Sequence, residues 1–339
     1  MGSLADFAAG IMWLGLTFYA LFGGADFGAG FWDLTAGGAR RGAKQRALIE
    51  KSIGPVWEAN HVWLIFVLVI MWTCFPPLFG AVFSTLWIPF TLAAFGVIAR
   101  GSAFAFRKVV VKVWQRRLFG AAFALSSIIT PFFFGAIAGA VASGRVPVAF
   151  GTGNAISAWL NPVSIMTGLL AVAVCAYLAA VYLTADARRA KDSQLVAQFR
   201  ARALAAGIMA GIIAAIGLVF LHQDAQVLAH GLAHRGLPLV IISAVAGVLA
   251  LALLYARSFI AARIVGAIAV TAVLWAWAAA QYPHLLTPGL TISAATAPPL
   301  VIKDTLISLA VGAVLLVPSL IWLYVLFQRG DGTKVASSK

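Results

Sequence analysis

Nine stretches of the chain are almost continuously apolar, each close to the ~20 residues that a helix needs to cross the hydrocarbon core of a bilayer. They cover roughly residues 8–31, 56–75, 78–99, 118–141, 163–185, 204–222, 237–256, 260–280 and 305–327. Backbone polar groups in lipid must be satisfied within the protein, which leaves helices as the spanning element for runs of this length. The pattern therefore predicts an all-α integral membrane protein with nine transmembrane helices, one polytopic membrane domain over residues 1–339. Nine spans accommodate two four-helix bundles plus one extra helix. Pro76-Pro77 falls between the second and third stretches, which predicts a tight turn and antiparallel neighbours. The first stretch has no basic residue before it and no small-residue cleavage site at a signal-like distance, so a retained helix is expected rather than a secretory signal.

The polar positions carry a second pattern. Numbering the connections in chain order, the basic residues crowd into every other one. Arg40, Arg41, Lys44, Arg46 and Lys51 follow the first span, and Arg100, Arg107, Lys108, Lys112, Arg116 and Arg117 lie between spans three and four. Arg188, Arg189, Lys191, Arg200 and Arg202 come between spans five and six, and Arg257 and Arg263 between seven and eight; Arg329, Lys334 and Lys339 close the chain. Only Arg145, Arg235 and Lys303 of the 24 Lys and Arg fall on the alternate side. Lys and Arg are retained in the cytoplasm, so the N-terminus is expected outside and the C-terminus inside. The formal charge of +14 is then a consequence of topology and calls for no nucleic acid. Composition agrees: 10% of the 339 residues are charged and 63% hydrophobic, with a mean hydropathy of +0.99. Soluble domains are about 25% charged, so a water-soluble globular protein, a disordered chain and a disulfide scaffold are all excluded.

Among ten acids, only Asp26 and Glu58 fall inside the predicted spans. A charge at the centre of a membrane helix costs at least ~2.5–3.5 kcal/mol, and such groups usually face a bundle interior or a watery path. Both would lie near the cytoplasmic face, where two carboxyls could pass protons inward. The plainer alternative is a pair of interfacial acids satisfied by Arg and Lys of the first loop or by a partner subunit. Gly24 and Gly28 stand four apart, as do Ala25 and Ala29, a spacing that lets another helix approach closely. The second span opens with Trp57, Glu58, Asn60, His61 and Trp63, a crowd of polar and aromatic groups within two turns. His61 could ligate haem iron, but no other span offers a paired ligand, so a hydrogen-bonded histidine is the expectation. His222, Asp224, His230 and His234 share an outer segment with the i, i+4 spacing of a metal pair but without the Glu of a zinc-protease motif; a solvated loop is expected. Cys74 and Cys175 form neither CxxC nor a zinc set and read as packing residues.

Three passages together resemble a known family: Gly23-Gly24-Ala25-Asp26-Phe27-Gly28-Ala29-Gly30, then Ile53-Gly54-Pro55-Val56-Trp57-Glu58-Ala59-Asn60-His61-Val62-Trp63-Leu64, then Arg100-Gly101 with Phe104 and Arg107. They are similar to subunit II of cytochrome bd-type quinol oxidases, close to the branch called cyanide-insensitive oxidase. The resemblance implies a respiratory complex of the bacterial cytoplasmic membrane that oxidises quinol and reduces oxygen to water. It implies that this chain carries no haem and packs against a haem-bearing subunit I, whose haems are b- and d-type or b-type alone. It further implies a proton path from the cytoplasm through Asp26 and Glu58, with Trp57, Asn60, His61, Trp63 and Arg100 as the supporting cluster. A structural quinone or lipid and a small accessory subunit are compatible with it. Many relatives have Asp where Glu58 stands, and some carry an acid where this chain has Ala105; a route needing that acid would here fall to water, Ser102 or subunit I. The competing expectation is a secondary transporter or channel with intramembrane acids binding the coupling ion.

Overall fold

The protein is described by a computed structural model over residues 4–38, 40–53, 57–106, 109–110 and 112–329. The Gly54-Pro55-Val56 opening of the second span, the side chain of Trp57, Arg107 and the basic tail beyond Arg329 lie outside the described residues.

The first crossing is a helix in two parts, α1 (Leu4–Phe18) and α2 (Gly24–Leu34), joined by a π-helical turn at Tyr19–Gly23. A polar helix, α3 (Ala43–Ile53), follows in the first basic loop and buries Leu48 and Ile49 against the bundle. Next come α4 (Trp57–Cys74), α5 (Pro76–Thr85), α6 (Trp87–Phe106), α7 (Val113–Ala142), α8 (Pro162–Arg189) and α9 (Ser193–Asp224). The chain continues through α10 (Gln226–Ala233), α11 (Leu237–Tyr255), α12 (Phe259–Gln281), a short hairpin β1 (His284–Leu286) and β2 (Leu290–Thr291), then α13 (Ile292–Ala295) and α14 (Pro299–Arg329). Among the described residues eight helices are long and apolar enough to span a membrane, and α4 with α5 makes a ninth crossing when the bent pair is counted as one.

The third span departs from expectation. Pro76 and Pro77 do not form a simple turn; they occupy the first turn of α5, where a missing backbone N–H costs nothing. The axis swings by 117° between α4 and α5, and the apolar residues from 76 to 85 are spent on this cross-piece. The crossing itself starts at Trp87 and runs to Phe106. α4 and α6 are therefore not the antiparallel neighbours that the double proline suggests: α4 packs along α1, and α6 along α7. The same shift moves Arg100 from the edge of a basic loop into the body of a membrane helix.

Helices also outlast their apolar runs. The Asp192 side chain accepts hydrogen bonds from Gln194 N and Leu195 N, so α9 starts at Ser193, well before its hydrophobic stretch. Asn161 caps α8 in the same way through Ser164 N, with Pro162 in the first turn. The α8, α9, α11 and α12 helices pack in a closed ring of four. The first crossing, α4, α6 and α7 form a second group that is open between α4 and α6, and α14 lies outside against α1 and α4. The basic connections meet at one end: Arg202 donates to Thr35 O at 3.3 Å, Gln45 to Gln198 at 2.8 Å, and Arg188 to Arg257 O at 3.4 Å.

Candidate functional site

The buried chemistry lies where α2, α6 and α7 meet near that basic end. Asp26 sits in the first turn of α2, and Arg100 reaches it from α6: Nη2 is 2.7 Å from Oδ1 and also donates to the Asp26 carbonyl oxygen at 2.9 Å. Side-chain exposure is 1% for Arg100 and 2% for Asp26. The other guanidinium nitrogen, Nη1, donates to Ser127 Oγ of α7, and that hydroxyl donates to Phe123 O at 2.6 Å. Phe27 and Phe123 flank the guanidinium at 5.1 and 4.4 Å from their ring centres, which adds cation–π attraction on its two faces. Asp26 Oδ2 and Arg100 Nε have no hydrogen-bond partner among the described residues.

Close packing makes this arrangement possible. A Cβ on Gly28 would run into the Cys175 carbonyl of α8, and one on Gly30 into Ser127 and Arg100. The four-residue spacing of small residues thus does what it predicts: it brings the α2 backbone onto α8. The π-helical turn at Tyr19–Gly23, just before Asp26, widens the helix locally; such single-turn bulges are frequent at functional sites.

The second-span cluster is only partly drawn in. Asn60 is buried and donates to Phe22 O at 3.3 Å. The His61 ring lies 6.5 Å from Tyr19 and 6.2 Å from Phe27, and Trp63 packs on Phe18 at 4.6 Å. Glu58 is not brought to Asp26. It is exposed, about 200° around α4 from buried Asn60 at 100° per residue. It heads a stripe of exposed side chains, Val62, Ile65, Val69 and Trp72, that runs the length of α4. A parallel exposed stripe on α6 holds Phe95, Ile98, Ser102 and Ala105. Of the basic residues in the first loop, Arg46 meets Asp33 at 3.2 Å.

Sequence reasoning placed Arg100 in the supporting cluster but gave it no partner, and it missed Ser127. The signal was present: Ser126, Ser127 and Thr130 interrupt an otherwise apolar span, and all three are buried. Among the described residues no group of three or more His, Cys, Asp and Glu could hold a metal ion. His230 and His234 stack at 4.0 Å between ring centres on the exposed end of α10.

Residues 4–327 match the family described as "Cytochrome bd terminal oxidase subunit II". The chain is 29% identical over 199 residues to "Cytochrome bd ubiquinol oxidase subunit 2" of Bacillus subtilis, covering 57% of this chain and 55% of that protein. It is 26% identical over 172 residues to "Cytochrome bd-I ubiquinol oxidase subunit 2" of Escherichia coli K12, covering 49% and 44%. These matches span about half the length of the curated relatives. A solved structure of a bd oxidase from Geobacillus thermodenitrificans superposes over 96% of this chain and 98% of its own, with a TM-score of 0.77 and 25% identity.

Proposed function

The chain belongs to the cytochrome bd terminal oxidase subunit II family, and from that premise we propose that it is the haem-free subunit of a respiratory quinol oxidase. It would sit in a bacterial cytoplasmic membrane with its N-terminus outside and its C-terminus inside. In this reading the complex oxidises membrane quinol and reduces oxygen to water, and the redox chemistry belongs to haems on subunit I. The names of the relatives support the activity, and the 21 basic residues gathered on alternate connections support the orientation.

One observation carries the role of this chain within the complex: a carboxylate, Glu58, heads the outward stripe of α4. Facing lipid, that charge would carry a penalty, ~2.5–3.5 kcal/mol at the centre of a membrane helix and less near its end. Covered by a protein partner, it becomes a proton-accepting group at a subunit boundary. The exposed stripes of α4 and α6, two helices that do not pack along each other among the described residues, therefore form the docking face for subunit I. Glu58 takes up a proton from the basic, inner end and passes it along that boundary. Ser102, on the α6 stripe, can hold water in the path; Ala105, one turn on, offers no carboxyl, so the route does not depend on an acid there.

Asp26 has a narrower part. Its Oδ1 is held by Arg100, so only Oδ2 is open to a proton or a water. Asn60, His61 and Trp63 hold α4 against the first crossing and so fix where Glu58 points.

The test is oxygen consumption by the purified complex carrying Glu58→Gln. The rate is expected to fall at least about tenfold, short of the full range for a lost proton-transfer group, with haem content near that of the unaltered complex. A normal rate at full haem content would remove Glu58 from the path. Purification of the chain without any haem-bearing companion would favour the transporter alternative. That alternative calls for broken helices in both halves, whereas the breaks at Tyr19–Gly23 and Phe75 both lie in the first.

A further inference from the structure

The histidine-bearing connection between α9 and α11 is expected from its spacing to be a solvated loop, but Gln226–Ala233 form a helix, α10, at the end of the molecule opposite the basic connections. We propose that His230 and His234, where that helix ends, hold one divalent ion of a nitrogen-seeking metal, Zn²⁺ or Cu²⁺, with water completing its coordination. The site does not depend on the oxidase reading and uses only this chain's own side chains.

The two histidines stand four apart in the sequence, the spacing that sets two imidazoles on one face in helix-borne zinc sites. Their rings stack at 4.0 Å between centres with 24° between planes, and both residues are exposed. Two nitrogens bound to one tetrahedral zinc at ~2.0–2.1 Å stand roughly 3.3 Å apart. Rings already this close reach a shared ion by a small side-chain rotation. His234 Nδ1 lies 2.8 Å from His230 O. A carbonyl oxygen only accepts, so Nδ1 carries the proton, and Nε2 of the neutral ring keeps its lone pair for a metal. Metal-bound histidines almost always donate their second nitrogen in this way, which fixes the ring and raises its basicity. Here the same hydrogen bond ties one ligand residue to the other.

The surroundings suit a cation. The imidazoles stand at the C-terminal end of α10, where the helix dipole favours positive charge. The next residue, Arg235, is engaged elsewhere: its Nη1 donates to Tyr282 O, just past the end of α12. The helix beneath is firmly seated, since a Cβ on Gly231 would run into the Ala280 carbonyl of α12. Among the described residues the pair belongs to no group of three or more His, Cys, Asp and Glu, so the remaining coordination positions fall to water. That makes an open, exchangeable site, unlike the closed four-ligand sites that hold zinc for structure. Imidazole ligands suit copper and zinc, whereas Mg²⁺ is served by carboxylate, carbonyl and water oxygens.

The experiment uses the chain purified with its partner subunit, without a polyhistidine tag and dialysed against EDTA. An equimolar amount of Cu²⁺ is added, and pulsed electron paramagnetic resonance counts the imidazoles coupled to it. Two are expected, and an excess of Zn²⁺ should displace the copper where the same excess of Mg²⁺ does not. His230→Gln and His234→Gln should each weaken Cu²⁺ binding at least about tenfold, the lower end of what loss of even a supporting residue costs a metal site. His222→Gln with His284→Gln, which changes the other two histidines outside the predicted spans, should leave binding unaltered. A two-imidazole signal that survives His230→Gln combined with His234→Gln overturns the proposal. So does its loss in the His222, His284 variant, or displacement of the copper by Mg²⁺. Should a variant fail to assemble, the unaltered complex still decides, because fewer than two imidazoles on the copper removes the site.

Discussion

Neutralising Asp26 would leave a guanidinium alone in the middle of a helix bundle. Removing one partner of a buried pair typically costs ~3–5 kcal/mol, because the remaining charge has no compensation. Asp26→Asn is therefore expected to lower the yield of assembled complex sharply, read as haem per milligram of membrane protein, in contrast to Glu58→Gln. Replacing both partners, as Asp26→Leu with Arg100→Met, should recover much of the assembly, since apolar groups of similar volume are often tolerated in place of a buried pair. Turnover per haem in that recovered complex then separates two roles. A normal value makes Asp26 an anchor; a slow one makes Oδ2 a member of the proton path. Ser127→Ala removes the acceptor of Arg100 Nη1 and should cost about 1–3 kcal/mol, visible as a lower melting temperature of the solubilised complex.

Among the elements, α2 and α4 are specified in different ways. The α2 helix is defined by what it lacks: small residues at Gly24, Gly28 and Ala29 let it lie on α8, where Trp32 Nε1 donates to Ala176 O at 2.8 Å. Gly28→Leu should part the two helices and destabilise the complex by several degrees, whereas Gly10→Ala, with nothing within 4 Å of its added Cβ, should not. The α4 helix is defined by its exposed stripe. Arginine at Ile65 together with arginine at Phe95, both exposed, should abolish co-purification with the haem-bearing subunit if that face is the docking surface. Retained co-purification would move the interface elsewhere. The double proline misled because it both ends one helix and starts another: Phe75 breaks α4, and the prolines then suit the first turn of α5. Local sequence marks such a break but does not give its angle.

At the scale of the whole molecule, topology is the property to test. Thr152 and Gln194 are both exposed, on connections assigned to opposite sides, and Cys74 and Cys175 are buried. In intact cells with the outer barrier removed, Thr152→Cys should react with a membrane-impermeant maleimide and Gln194→Cys only after lysis. The reverse order would invert the proposed orientation. Span number, the segregation of charge, and the motifs that carry the family likeness were all legible in the chain, because each depends on the identity of consecutive residues in a nonpolar solvent. Which helices touch was not. Arg100 counted as a loop cation until α6 ran on to Phe106 and set it opposite Asp26. Glu58 and Asp26 looked like a pair until the helical turn of α4 sent one outward and α6 claimed the other. An ion pair joining residues 74 positions apart is a product of helix rotation and packing, and those are settled by the fit of whole surfaces that no local pattern encodes.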